Sequence, residues 1–147
     1  MTEQQKRLVK QWVRKAENDL LNVTNNLQAD QTPWDTVCFH CQQVVEKYVK
    51  AVLVAYGEEI PRTHDLEQLY NLIQSWIPWI EEQRDELRWL TVYAVVSRYP
   101  VEVEEMPPGE DEANRAHQLA NIVRETCRNH MKEIAGELIE DERTMDV

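Results

Sequence analysis

Glycine, phenylalanine and positive charge are scarce in this chain, and each shortage excludes something. Three glycines and one phenylalanine in 147 residues are too few for a turn-rich, aromatic-packed β architecture, and no alternating apolar–polar run bounded by turn residues is present. The abundance of Leu, Val, Ala, Glu, Gln, Lys and Arg favours helix instead. A net charge of −11 argues against a general nucleic-acid coat, whose phosphate contacts need Lys and Arg in excess, but leaves room for a local basic pocket. No apolar run approaches membrane-spanning length, and the start lacks the apolar stretch of a secretory signal. Three cysteines cannot all pair internally. Their placement inside helical patterns predicts reduced, buried thiols, hence a cytoplasmic protein.

What is present is helical periodicity. At this length one domain, residues 1–147, is expected to carry a real hydrophobic core. The first helix is predicted from Gln4 to Leu27, with Val9, Val13, Ala16, Leu20, Val23 and Leu27 forming a heptad-like seam. Lys6, Arg7, Lys10, Arg14 and Lys15 make this helix locally basic. A break at Gln28–Gln31 precedes Thr32-Pro33-Trp34-Asp35, which reads as N-cap, first helical proline and first-turn acid. The second helix then runs to about Tyr56, and Gly57 stops it. Asp65 is the expected N-cap of a short third helix, with Gln68 placed for a capping box. Trp76-Ile77-Pro78-Trp79-Ile80 follows as an aromatic turn, its tryptophans expected to close one end of the bundle.

The fourth helix is expected over Glu82–Ser97. It is apolar almost all round after Trp89, which marks it as central or as a dimer interface, and Arg98-Tyr99-Pro100 ends it. An acidic loop, Pro100–Gly109, leads to a last helix over Asp111–Ile139, with Ala116, Ala120, Val123, Cys127, Ile134 and Leu138 as its seam. The acidic end, residues 140–147, is expected to fray. Long helices joined by short loops predict an all-α, antiparallel up-and-down bundle of four long helices plus one short one.

The second helix carries the most information. At about 100° per residue, Val37, Cys41, Val44, Tyr48, Ala51, Val52 and Ala55 share one face, while His40, Gln43, Lys47 and Lys50 share a neighbouring sector about 80° wide. The first face needs a core; the second meets an anion, a partner helix or water. Lys47 and Lys50 suit a phosphate ledge, but Glu46 and Lys50 are equally an ordinary i,i+4 surface pair. Arg62-Thr63-His64-Asp65 opens a helix, where free backbone N–H groups and Arg62 suit an anion and where Asp65 also serves simply as a cap. Arg98 continues the apolar row Leu87, Thr91, Ala94, so it snorkels, pairs with an acid or enters a cleft. A zinc site fails on direction: Cys41 points into the seam and Cys38 lies away from His40. No nucleotide loop, Gly-rich turn or Ser-His-Asp order is present, and no cofactor or metal is expected.

Four segments, taken in order, resemble the HEPN family, small helical domains named for nucleotide binding in prokaryotes and higher eukaryotes. They are Trp12-Val13-Arg14-Lys15-Ala16-Glu17-Asn18-Asp19-Leu20, Phe39 through Ala51, Pro61-Arg62-Thr63-His64-Asp65-Leu66, and Tyr93 with Ser97-Arg98-Tyr99-Pro100. The resemblance implies a homodimeric helical bundle. It further implies a nucleotide-binding or regulatory module forming one half of a toxin–antitoxin pair with a minimal nucleotidyltransferase. Other members are metal-independent RNases that resemble one another in an Arg followed, four to six residues later, by a His. Here Arg98 matches the Arg, but that His is missing and Pro100 stands in the stretch. The chain is thus similar to the Arg-Tyr-Pro branch, and a binding or partner role ranks ahead of catalysis. The expected ligand residues are Arg98, Lys47, Lys50, His40, Gln43, Arg62 and His64, with a nucleotide or RNA as the ligand. If the chain is an RNase, Arg98 works with His40 or His64. A third alternative is a structural dimer without ligand.

Overall fold

The computed structural model of the chain describes residues 1–94 and 107–145, with side chains through residue 134. Five α-helices and no strand are present among the described residues: α1 (Glu3–Leu27), α2 (Trp34–Ala55), α3 (Leu66–Ile73), α4 (Arg84–Thr91) and α5 (Glu110–Met145). Short 3-10 turns, Pro78–Gln83 and Val92–Ala94, flank α4. The all-α bundle read from periodicity is therefore the observed one.

Local chemistry sets the helix ends. Thr2 caps α1 reciprocally with Gln5: Gln5 N–H donates to Thr2 Oγ1 at 3.1 Å and Thr2 N–H to Gln5 Oε1 at 2.8 Å. The Gln5 amide also donates to the Val54 carbonyl at 3.3 Å, tying the start of α1 to the end of α2. Gly57 follows α2 with φ +75°, and a Cβ there would stand 3.2 Å from Gln5 Nε2, so both backbone and neighbour favour glycine. The α2 start differs from expectation. Pro33 occupies the cap position without a side-chain bond, while Thr32 Oγ1 donates back to the Asn26 carbonyl at 3.0 Å and closes the α1–α2 turn. Asp65 caps α3 as expected, accepting from Glu67 N–H and Gln68 N–H. Gln68 returns the favour indirectly: its Oε1 accepts from Thr63 Oγ1, which itself accepts from Asp65 N–H.

The helix directions follow from side-chain contacts. Gln5 meets Val54 and Asp19 meets His40, so α1 and α2 are antiparallel. Glu17 of α1 meets Arg124 and Arg128 of α5, and Tyr48 and Tyr56 of α2 meet Arg128 and His130 of α5. Helix α2 is thus the central element. Sixteen of its residues are buried, polar Gln42, Gln43, Glu46 and Lys50 among them. The seams read from spacing supply the core: Val9, Val13, Ala16 and Val23 of α1, and Ala116, Ala120, Val123 and Cys127 of α5, are fully buried. Each of these valines contributes on the order of 1.5–3 kcal/mol by leaving water. Ile134 departs from its expected place in the seam and is largely exposed.

The fourth helix is shorter in its described part than Glu82–Ser97. It is a 3-10 turn through Gln83, α-helical over Arg84–Thr91 and 3-10 again to Ala94, with Val92 exposed. Arg98, with Ser97, Tyr99 and Pro100, lies outside the described residues. The last helix extends past Ile139 to Met145. No described helix is long and apolar enough to cross a membrane.

All three thiols are buried and unpaired. Burial, helped by the Glu112 carboxylate, pushes Cys38 from 9.0 up to about 12, and burial does the same to Cys127. Cys41 is raised by the same cause. The folded chain keeps protons that the unfolded chain gives up above about pH 9. This contribution to stability is therefore full below pH 9 and is lost as pH rises toward 12. The expected result is that a disulfide exchange reagent at pH 8 labels no thiol in the folded protein and all of them after denaturation. Rapid native labelling of Cys38 or Cys41 would contradict this packing.

Candidate functional site

Because α2 is covered by α1 and α5, its polar strip is pressed against neighbours rather than left in water, and the residues it meets are carboxylates. Asp19 of α1 receives His40 Nδ1 at 2.7 Å on one oxygen and Lys47 Nζ at 2.5 Å on the other. One helical turn along, Glu46 of α2 itself receives His64 Nδ1 at 2.8 Å and Lys50 Nζ at 3.0 Å. The strip is thus two carboxylate–His–Lys groups side by side. Gln42 links them to the loop before α3, donating to Glu46 Oε1 at 3.2 Å and to the His64 carbonyl at 3.0 Å, while Gln43 donates to Gln42 Oε1 at 2.6 Å. Lys50 also sits 5.5 Å over the Trp12 ring.

The two groups differ in access. Glu46 and Lys50 are buried, with side chains 4 % and 9 % exposed, whereas the His64 side chain bonded to Glu46 is 62 % exposed. Arg62, two residues earlier, is exposed as well. His40 and Lys47 are partly exposed beside buried Asp19. Ionised carboxylates only accept, so the contacts to Asp19 and Glu46 place a proton on Nδ1 of each ring. Among the described residues Nε2 of neither ring makes a hydrogen bond. A carboxylate behind an imidazole fixes its tautomer and orientation, as positioned proton donors and acceptors require.

The expected ligand residues therefore fall into three sets. His40, Gln43, Lys47 and Lys50 stand together on α2, and Arg62 and His64 join them from the loop through the Glu46–His64 bond. Arg98 lies outside the described residues. The lysines read as a phosphate ledge are each bonded to a carboxylate, so an anion would reach them only in competition with Asp19 or Glu46. Asp19 itself, which organises half the site, was not singled out by spacing. Among the described residues no group of three or more His, Cys, Asp or Glu side chains is arranged to hold a metal ion. The basic face of α1 is separate: Lys6, Arg7 and Lys10 with Glu3 line a cleft of about 300 Å³.

A second buried cluster joins α1, α2 and α5. Glu17 accepts from Arg124 Nε at 2.9 Å and Nη2 at 2.6 Å, and from Arg128 Nη1 at 2.9 Å; Arg128 also donates to Tyr48 OH at 3.0 Å. Burial and the Glu17 charge push the Tyr48 phenol upward, and the Glu17 bond raises Arg124. The sequence signal for this cluster was available in Glu17, which lies one turn after Val13 on the buried side of α1, and in the i,i+4 pair Arg124 and Arg128 flanking the buried Cys127.

Compared with known proteins, residues 9–130 match the family described as HEPN domain. No curated protein and no solved structure matches the chain. The matched span contains both carboxylate–His–Lys groups and the Glu17 cluster.

Proposed function

Since the chain belongs to the HEPN domain family over residues 9–130, we propose that it is a nucleotide-binding regulatory module, acting as a homodimer and as one half of a toxin–antitoxin pair with a minimal nucleotidyltransferase. The observation that supports a ligand role is the pair of imidazoles, each bonded at Nδ1 to a buried carboxylate and each on a side chain that is itself at least partly exposed. Protonated on both nitrogens, His40 and His64 offer Nε2–H donors that, with the exposed Arg62 guanidinium, suit the oxygens of a phosphate. Lys47, Lys50 and Gln43 back the site by holding or neutralising the carboxylates, and Arg98 is a further candidate ligand residue.

The test is a melting series with mono-, di- and triphosphate nucleotides. A ligand that binds only the folded state at one hundred times its Kd adds about 2.7 kcal/mol, which for a chain of this length raises Tm by about 5–10 °C. Arg62→Ala, at an exposed position, is expected to keep the unliganded Tm and lose that rise; His64→Ala is expected to lose the rise as well, from a lower unliganded Tm, because buried Glu46 loses one of its donors. Unchanged melting of the wild type across the series removes the nucleotide reading. Co-purification with a minimal nucleotidyltransferase co-expressed with the chain tests the pairing separately.

A metal-independent RNase is the second reading, favoured by the same orientation of His40 and His64, because a carboxylate-held imidazole suits removal of a 2′-hydroxyl proton. Under it, labelled single-stranded RNA is cut in EDTA and cutting is lost in His40→Ala and Arg98→Ala. No cutting with protein in excess over RNA removes it.

A further inference from the structure

At the end of the bundle where α2 stops, four aromatic rings from three elements come together. Tyr56 stacks on Trp76 with centroids 3.9 Å apart and planes at 1°. His130 of α5 bonds Tyr56 OH through Nε2 at 2.6 Å. Trp79 lies 5.9 Å from the His130 ring at a 55° tilt. Two features of this corner are unlike a finished core. Trp79 is 53 % exposed, and Ile134, one turn after His130 on α5, is exposed as well. His130 is more than nine-tenths buried, yet its Nδ1 has no hydrogen-bond partner. Buried polar atoms are nearly always satisfied, and an orphan marks a place where a partner is missing.

Carboxylates outnumber cations around the corner. Glu58 and Glu59 follow Tyr56 and Gly57 and are exposed. Glu82 comes three residues after Trp79 in a 3-10 turn, where positions i and i+3 share a side. Glu133 is close enough to Tyr56 to raise its phenol, second to burial. Glu81 differs in being already bonded to Arg84. Lys132, the nearby cation on α5, falls about 160° round the helix from His130.

We infer that this corner is the docking site for a basic segment of a protein partner, with an arginine side chain laid on Trp79 among Glu82 and Glu133. An indole face attracts a guanidinium, exposed tryptophans are favoured anchors at interfaces, and the carboxylate ring draws a basic partner while repelling nucleotides and RNA. The site is independent of the strip on α2. It uses none of those residues and takes a ligand of opposite charge.

The experiment is a titration of the full chain with a short arginine-rich peptide and with its aspartate counterpart, followed by the tryptophan indole N–H resonances. The Trp79 signal is assigned from its loss in Trp79→Phe. The arginine peptide is expected to shift the Trp79 indole saturably, the aspartate peptide to leave it unmoved, and Trp79→Ala to abolish binding with the fold intact. Glu82→Gln combined with Glu133→Gln should weaken binding at least about fivefold. Absence of a saturable shift, equal affinity in Trp79→Ala, or a shift produced by AMP in place of the peptide overturns the proposal. A Trp79 signal that moves with protein concentration alone assigns the corner to a second copy of the chain and overturns it too.

Discussion

Glu17→Ala is expected to destabilise the protein by about 3–5 kcal/mol, the typical cost of stripping one member from a buried ion pair. Arg128 is 1 % exposed and Glu17 is 7 % exposed. Removing the carboxylate takes away the acceptor of the Arg128 Nη1–H bond at 2.9 Å, and the hydroxyl of Tyr48, at 3.0 Å from the same nitrogen, cannot replace the lost charge. Typical domains have only about 5–15 kcal/mol in total, so the change takes a large share of the whole, and Tm should fall by about 10 °C or more. Arg124→Ala serves as the internal comparison. Arg124 is partly exposed, and its loss leaves Glu17 still bonded to Arg128, so its effect should be a small fraction of the first. Replacing Glu17 by Leu and Arg128 by Met together should restore much of the lost stability, because a buried pair exchanged for apolar groups of similar volume is often neutral. A melting temperature for Glu17→Ala within about 2 °C of wild type would mean that this cluster is solvated and the packing of α1 on α5 is looser than described.

The contrast between Glu17 and the residues that spacing singled out shows what a helical wheel carries. The apolar seams of α1, α2 and α5 were legible because period and burial coincide: each seam residue must leave water whatever covers it. Glu46 and Lys50 were legible as an i,i+4 pair, but as an exposed one worth tenths of a kcal/mol. The pair exists at 3.0 Å, yet it is buried, because α2 is covered on two sides and a wheel drawn for one helix carries no information about its neighbours. Asp19 was invisible for the same reason. Its role comes from standing opposite His40 and Lys47, residues from a different helix.

The aromatic turn teaches a related point. Its tryptophans were expected to close one end of the bundle, and Trp76 does pack against Tyr56. Trp79 instead faces water because the segment begun by Pro78 is 3-10 rather than α. With three residues per turn, Ile77 and Ile80 share the inner side and both are buried, which turns Trp79 outward. Composition alone favoured the largest ring for the interior; the turn geometry chose the two isoleucines.

Glu46→Ala is the second large effect expected, and its asymmetry with Lys50→Ala is the sharper test. Glu46 accepts from His64, Gln42 and Lys50. Without it, Lys50 keeps only the Trp12 ring face at 5.5 Å, and a buried ammonium with so little to balance it costs about 3–5 kcal/mol. Lys50→Ala removes one donor of three, and the carboxylate keeps His64 Nδ1–H and the Gln42 amide. Its cost should be clearly smaller, by about 1–2 kcal/mol, since each hydrogen bond to a charged group is worth about 1.5–3 kcal/mol. Chemical denaturation of the two variants measures the order directly. Glu46→Ala should also erase any nucleotide-induced rise in Tm, because it frees the His64 ring whose Nδ1 it holds, whereas Lys50→Ala should retain most of it. If the two variants are equally unstable, the His64 and Gln42 bonds contribute nothing to holding the carboxylate. If Lys50→Ala alone loses the nucleotide response, the ammonium exchanges Glu46 for the ligand, and the lysine ledge read from the spacing is itself the binding surface.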